Sequence, residues 1–168
     1  MLIFLIGYMG SGKSTAGKKL AKLLDYGFAD LDEHIEKRSG RRIADIFALE
    51  GEEEFRRLEH HYLEKLCSLN DHVIATGGGT PCVGRNIELM KRSGKVVYLK
   101  MTAAALAKRL SQKDNSRPLL KKTGNKSLEK FIEEHLAQRE RFYGQADIVV
   151  SGVSLDVKEL AGAVGRGQ

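Results

Sequence analysis

Hydrophobic positions along the chain form two kinds of segment, short continuous runs and longer stretches with helical spacing. Leu2–Ile6 is a continuous apolar run rich in β-forming residues, which predicts a strand buried on both faces. In the next segment, Lys13–Leu24, the apolar residues recur on one face of a helix. The alternation continues along the chain, and further strands are predicted at residues 28–31, 73–76, 96–101 and 147–150.

Glycines and hydroxyl-bearing residues mark the ends of the predicted helices. Gly40 and Gly51 are each expected to end a helix, and Thr102 and Ser127 are each expected to cap one. Residues 112–125 are polar, contain Gly and Pro and lack periodicity, which predicts one long loop. Other helices are predicted at residues 52–69, 83–93 and 155–164, and the helix after Ser127 is expected to reach about residue 143.

Strands that alternate with helices are typical of a parallel sheet with helices on both faces. We therefore predict a doubly wound α/β fold with a five-stranded parallel sheet, in one domain over residues 1–168. Ligands in such folds bind at the carboxyl ends of the strands. The candidate motifs all lie at such an end or on a helix that can reach it.

The composition is that of an ordinary globular protein, with 168 residues of which 42% are hydrophobic and 30% charged. The N-terminal apolar run is too short to span a bilayer and lacks the basic flank and cleavage site of a signal peptide, so we expect a cytoplasmic protein. Cys67 and Cys82 are too few and too far apart for a disulfide framework or a zinc site. The histidines show no metal-ligand spacing.

The formal net charge of +6 is compatible with two classes of partner. Basic surfaces bind nucleic acids by releasing counterions from the phosphate backbone. Small polyanionic substrates explain the charge equally well. Because the chain has no long basic run and no basic stripe interleaved with aromatic residues, we expect small-molecule substrates and neither a nucleic-acid nor a membrane partner.

The strongest local signal is the segment Gly7–Ser14, which matches the pattern G-x-x-x-x-G-K-[ST] of a phosphate-binding loop (P-loop). Its glycines allow backbone N–H groups to approach phosphate oxygens, and the helix that follows presents its N-terminus to the same anion. Lys13 is expected to contact the β- and γ-phosphates of ATP, and the Ser14 hydroxyl to bind Mg²⁺. A chance glycine-rich turn is the alternative, but the motif follows a buried strand and opens an amphipathic helix, as phosphate binding requires.

Taken singly, the other conspicuous residues have structural explanations. Asp30 and Asp32 after a strand could cap a helix, whereas Arg56 and Arg139 in charged helices could be solvated. Arg117, followed by proline, could belong to a turn. The triple glycine at residues 77–79 is harder to explain structurally, because it gives a backbone that a ligand can approach closely.

Together these positions resemble the shikimate kinase family, in residues and in order. The resemblance extends over roughly residues 2–150, and the combination of motifs is far more specific than the P-loop alone. It implies a P-loop fold of the nucleoside-monophosphate-kinase type with a mobile lid at about residues 112–125. The matching segments are residues 7–15, 30–32, 54–59, 76–79, 117–120 and 139–143.

The resemblance also implies a role for each motif. Phosphate would pass from ATP to the 3-hydroxyl of shikimate, with Mg²⁺ as cofactor. Separately from the resemblance, we expect a monomer. By this resemblance Lys13, Asp32 and Arg117 are catalytic, and Asp32 also holds the shikimate hydroxyls as, or beside, the base. ATP would be bound by Gly10, Ser11, Gly12, Lys13, Ser14, Thr15 and Arg117, shikimate by Asp32, Arg56, Gly77, Gly78, Gly79 and Arg139, and the metal by Ser14 and, through water, Asp30.

Two other functional classes remain open on sequence grounds. One is another small-metabolite kinase with this fold, such as a gluconate kinase or a nucleoside monophosphate kinase. A gluconate kinase is not expected to combine the triple glycine with Arg56 and Arg139. A nucleotide acceptor would need a base-binding site, for which the sequence offers no candidate. The other is a nucleotide-binding regulator without turnover, which would more plausibly lack Lys13 or Asp32.

Overall fold

The computed structural model describes residues 1–112 and 127–165. Within these ranges five strands form one parallel sheet, with the order β2-β3-β1-β4-β5. The strands are β1 (Leu2–Ile6), β2 (Gly27–Asp30), β3 (His72–Ala75), β4 (Gly94–Lys100) and β5 (Ile148–Ser151). The predicted five-stranded parallel sheet is confirmed.

Helices cover both faces of this sheet. They are α1 (Lys13–Leu24), α2 (Leu31–Ser39), α3 (Ile43–Leu66), α4 (Asn86–Ser93), α5 (Ala103–Gln112), α6 (Leu128–Tyr143) and α7 (Val157–Gly165), with a 3₁₀ turn at Thr80–Cys82. Helices α1 and α7 contribute to the apolar cluster on one face, whereas α2, α3, α4 and α6 contribute to the cluster on the other. The doubly wound architecture is therefore confirmed.

The continuous apolar run of β1 is explained by this layering. Phe4 and Ile6 belong to the cluster beneath α2 and α3, whereas Ile3 and Leu5 belong to the cluster beneath α1. Successive side chains of a strand point to opposite faces, so a strand covered on both sides must be apolar at every position. All five residues of β1 are buried.

Several predicted boundaries differ from the structure. β2 ends at Asp30 and Leu31 begins α2, because the Asp30 side chain caps that helix. The helix predicted from residue 83 is wrong at its start, since the 3₁₀ turn intervenes and α4 begins at Asn86. Gly51 has φ 84° and ψ 177°, so it interrupts helical geometry within α3 as expected, although the chain resumes a helix directly after it.

The predicted caps are confirmed. Thr102 Oγ1 accepts a hydrogen bond from the Ala105 N–H at 3.2 Å, and Ser127 Oγ accepts one from the Lys130 N–H at 3.3 Å. Gly40 ends α2 with φ 68°. The predicted lid lies outside the described residues except for Gln112, which belongs to α5. Among the residues described, no helix combines the length and the apolar character needed to cross a membrane.

The strand order places the candidate motifs together. β2, β3 and β1 are neighbours, and in a parallel sheet their carboxyl ends meet at one edge. The P-loop follows β1, the Asp30–Asp32 segment follows β2 and the triple glycine follows β3. Motifs that are about 70 residues apart in sequence thereby share one edge of the sheet.

Candidate active site

The P-loop runs from the end of β1 into the first turn of α1. Gly10 and Gly12 have φ angles of 80° and 92°, which residues with a Cβ rarely adopt. Lys13 is only 8% exposed, and its ammonium donates hydrogen bonds to the carbonyls of Gly7 at 2.8 Å and Tyr8 at 3.0 Å. The Ser11 hydroxyl is buried and has no hydrogen-bond partner among the described residues. The loop thus holds an ammonium and an unsatisfied hydroxyl beside a helix N-terminus, which suits a phosphate.

Ser14 and Asp30 form the contact between the P-loop and β2. The Ser14 hydroxyl donates a hydrogen bond to Asp30 Oδ2 at 2.6 Å. The other carboxylate oxygen, Oδ1, accepts from the N–H groups of Asp32 at 3.0 Å and Glu33 at 3.4 Å. Asp30 therefore caps α2 and also meets Ser14, so the capping and the metal-site interpretations are compatible.

This oxygen pair can be compared with what Mg²⁺ requires. Mg²⁺ takes oxygen ligands, usually one or two from protein together with phosphates and water. The described part of the chain contains no group of three or more His, Cys, Asp or Glu residues that could hold a metal. Ser14 and Asp30 supply two neighbouring oxygens, which fits a Mg²⁺ ion bound together with a nucleotide.

Asp32 lies in the first turn of α2, where it faces the start of the triple glycine. A Cβ added to Gly77 would lie 3.2 Å from Asp32 Oδ1 and 3.2 Å from Glu59 Oε1. Burial raises the pKa of Asp32 to about 6, and the negative charges of Asp30 and Glu59 add to the effect while Lys13 partly offsets it. Such a carboxylate is ionised at neutral pH, yet binds a proton more strongly than an ordinary aspartate does.

Arg56 is fixed by a carboxylate to which the sequence analysis assigned no role. Glu59, which is 1% exposed, accepts a hydrogen bond from Arg56 Nη1 at 2.8 Å and another from the Thr80 hydroxyl at 2.6 Å. A Cβ added to Gly79 would lie 2.5 Å from Arg56 Nη2, so the guanidinium lies directly on the glycine backbone. Arg56 Nε is buried without a partner in the described structure. The i, i+3 spacing of Arg56 and Glu59 on a predicted helix is the sequence signal that could have indicated this ion pair.

Arg139 reaches the same place from α6. Its guanidinium lies over the Tyr8 ring, 5.3 Å from the ring centre, and a Cβ added to Gly78 would lie 3.2 Å from its Nη1. The Tyr143 hydroxyl, one turn later, donates a hydrogen bond to the Gly78 carbonyl at 2.6 Å. The Tyr8 hydroxyl and His135 Nδ1 are 2.9 Å apart. These contacts dock α6 on both the P-loop and the triple glycine.

The triple glycine is the point where the candidate residues meet. Asp32 lies against Gly77, Arg139 against Gly78 and Arg56 against Gly79. The position of a Cβ added to Gly78 is also 3.3 Å from the Met9 nitrogen, so the P-loop borders the same segment. All the sequence-predicted site residues within the described ranges therefore lie at this edge of the sheet; Arg117 lies outside those ranges.

A cavity of about 410 Å³ opens on the outer side of the P-loop. Gly10, Gly12 and Thr15 line it together with Arg109 of α5. The Arg109 guanidinium donates hydrogen bonds to the carbonyls of Gly152 at 3.0 Å and Gly10 at 3.4 Å. The cavity is continuous with the predicted phosphate site and offers space for the rest of a nucleotide.

Fold and site together define a P-loop kinase with a small-molecule acceptor site. The family model described as "Shikimate kinase" matches residues 9–164. The chain belongs to the shikimate kinase family.

The similarity extends over nearly the whole chain. A shikimate kinase from Parabacteroides distasonis is 43% identical over 166 residues, which cover 96% of each protein. A solved shikimate kinase from Bacteroides thetaiotaomicron superposes with a TM-score of 0.89 at 36% identity, covering 99% of this chain and 97% of the other. A shikimate kinase from Acinetobacter baumannii, solved in complex with shikimate, gives a TM-score of 0.85 at 34% identity and covers 98% and 90%.

Proposed function

We propose that this chain transfers the γ-phosphate of ATP to the 3-hydroxyl of shikimate, giving shikimate 3-phosphate and ADP. The observation that carries the proposal is the meeting of Asp32, Arg56 and Arg139 on the triple glycine, beside the P-loop. A carboxylate for hydroxyl groups and two guanidinium groups for an acid suit a small polyhydroxylated carboxylate. Family membership supports the same substrate.

The nucleotide side of the reaction is assigned to the P-loop. Backbone N–H groups from Gly10 to Thr15 and the Ser11 hydroxyl take the phosphate oxygens. Lys13 exchanges its contacts with the Gly7 and Tyr8 carbonyls for the β- and γ-phosphates. The base and sugar occupy the cavity beside Arg109.

Ser14 and Asp30 are the residues that would hold Mg²⁺, Asp30 through water. When bound, the metal neutralises negative charge on the transferring phosphate. Asp30 Oδ1 remains engaged with the first turn of α2, so the same residue orients Asp32. Asp30 thereby links the nucleotide side of the site to the acceptor side.

The acceptor is oriented by Asp32, Arg56 and Arg139. Asp32 accepts hydrogen bonds from the shikimate hydroxyls and takes the proton of the reacting 3-hydroxyl, a task for which its raised pKa suits it. Arg56 and Arg139 bind the carboxylate, and the unpartnered Nε of Arg56 is one donor for it. The backbones of Gly77, Gly78 and Gly79 lie close to the ring, because no Cβ intervenes.

Arg117 completes the catalytic set by contacting the transferring phosphate from a lid. That role rests on the family resemblance, since Arg117 lies outside the described residues. An arginine supplied in cis neutralises charge that develops in phosphoryl transfer.

We also infer that the chain is a single domain and acts as a monomer in the cytoplasm.

The proposal is tested by ADP release from the purified protein with ATP and Mg²⁺. Shikimate, gluconate, AMP and a blank without acceptor are compared at equal concentrations. We expect ADP release that depends on shikimate alone. ADP release with gluconate or AMP would support kinase activity but contradict the assignment of shikimate as the acceptor. ATP binding without ADP release in any reaction would favour a nucleotide-binding regulator.

A further inference from the structure

A second cavity, of about 600 Å³, lies beside β2, the outermost strand on one side of the sheet. Its walls come from β2, α2 and the C-terminal part of α3. None of its lining residues belongs to the candidate active site. The residues that carry the argument are His34, Arg38, Tyr62 and Lys65.

The rim of this cavity is positively charged. Arg38 and Lys65 are exposed at its mouth, and neither forms an ion pair within the part of the chain that the structure describes. Other arginines on or beside the same helices are paired, Arg42 with Asp45 at 3.1 Å and Arg57 with Glu54 at 2.5 Å. Two cations without a carboxylate partner among the described residues therefore lie at the mouth of the cavity.

The neighbouring carboxylates are engaged elsewhere. Glu36 accepts a hydrogen bond from the Ile43 N–H at 2.9 Å, and Glu64 lies 3.4 Å from His60 Nε2. Asp71 pairs with the N-terminal ammonium. The pKa of His34 is lowered, first by burial and then by the positive charges of neighbouring lysine and arginine side chains. The charges that act on His34 are therefore positive.

Aromatic side chains line the interior. The rings of His34 and Tyr62 meet edge to face, with centres 5.6 Å apart, and Lys65 Nζ lies 5.7 Å from the centre of the Tyr62 ring. Leu66 and Leu69 add apolar surface. Apolar and aromatic walls with a few convergent charged groups are typical of small-molecule sites, and aromatic faces also pack on ligand rings.

We propose that this cavity is a second ligand site, which binds a small aromatic carboxylate. Arg38 and Lys65 take the carboxylate, and the ring of the ligand packs on the Tyr62 side chain. The required ligand has both a ring and an anion, because an apolar molecule would leave the cations without a partner and a bare anion would leave the aromatic walls wet. The site is independent of the proposed kinase activity.

The test is a titration of the ¹⁵N-labelled protein with benzoate, followed by NMR, in which the shifted amides locate the ligand. Benzamide serves as the neutral analogue and acetate as the anion without a ring. We expect saturable shifts at His34, Arg38, Tyr62 and Lys65, with a Kd at least about tenfold lower for benzoate than for either analogue, because each analogue lacks either the charge or the ring.

Variants separate the cavity from nonspecific binding. Arg38→Gln combined with Lys65→Gln should raise the benzoate Kd at least about tenfold. Arg85→Gln combined with Lys158→Gln also removes two positive charges, but from exposed positions outside the cavity, and should leave the benzoate Kd unchanged. Shifts confined to Arg56 and Arg139, equal affinity for benzamide, or an unaltered Kd in the first double variant would each overturn the proposal.

Discussion

Arg56 Nη1 lies 2.8 Å from Glu59 Oε2, in an ion pair whose acidic partner is almost fully buried. The second oxygen of Glu59 is occupied by the Thr80 hydroxyl. Both oxygens of this carboxylate are therefore used within the protein, and its effect on a ligand passes through Arg56. Glu59 holds the guanidinium against Gly79, and we expect it to position Arg56 for the acceptor.

Glu59→Gln should therefore weaken shikimate binding more than ATP binding. The amide keeps the size of the side chain but removes the charge that orients Arg56, so we expect the KM for shikimate to rise about tenfold, equivalent to about 1.4 kcal/mol. The KM for ATP should change less than about twofold. The matched control is Glu54→Gln, which loses a carboxylate paired with Arg57 on the same helix and should leave both constants unchanged. Equal losses in the two variants would remove Glu59 from the positioning role.

The pH dependence of the reaction should report the ionisation of Asp32. Its pKa is raised to about 6, and only the ionised form accepts a proton, so kcat/KM for shikimate should rise with pH through about 6. Asp32→Asn should lower kcat by about 10²–10⁴ and abolish this limb of the profile. A rate that stays flat between pH 5 and pH 7 in the wild-type enzyme would contradict the assignment.

The same raised pKa predicts that Asp32 lowers the stability of the fold. Between its usual pKa of 3.8 and about 6 the folded protein binds more protons than the unfolded chain, so the free energy of unfolding falls as pH rises through this window. Asp32→Asn should be more stable than the wild type at pH 7, by at most about 3 kcal/mol, and the gain should vanish below pH 4. Urea unfolding at the two pH values measures this, with Asp25→Asn, at an exposed position, as control. If Asp32→Asn were less stable than the wild type at pH 7, the claim that the buried Asp32 carboxylate lowers stability would be contradicted.

Arg139→Ala should act on the acceptor. Because Arg139 lies against Gly78 and over Tyr8, we expect the KM for shikimate to rise by about tenfold or more while the KM for ATP changes little. Arg141→Ala is the matched control, since Arg141 is exposed on the same helix. A rise in the KM for ATP alone would move Arg139 to the nucleotide side of the site.

Much of the fold could be predicted from the sequence, since its signals are local. The run of β1 is apolar at every position because helices cover both faces of the sheet, and the P-loop motif itself encodes the start of α1. Boundaries that depend on tertiary contacts were harder to predict. Thr80 is fixed by Glu59 and Asn86 and begins a 3₁₀ turn, and no periodicity in residues 80–86 indicates this.

The candidate site also has residues with a local signal and residues without one. The spacing of the P-loop motif alone predicts Lys13 and Ser14 as site residues, whereas Arg56 and Arg139 were predicted only from their combination with other motifs. The contact between the Tyr143 hydroxyl and the Gly78 carbonyl joins residues 65 positions apart, and that between Tyr8 and His135 joins residues 127 positions apart. No local pattern records such pairs, so the docking of α6 could be seen only in the structure.

The most direct test of the central claim is the identity of the phosphorylated product. The purified protein is incubated with ATP, Mg²⁺ and shikimate, and the product is examined by ³¹P–¹H correlation NMR. We predict a single phosphate ester whose phosphorus couples to the proton on C3 of the ring, formed together with one equivalent of ADP. Coupling to the proton of another carbinol carbon, or ADP formed without any ester, would contradict the account.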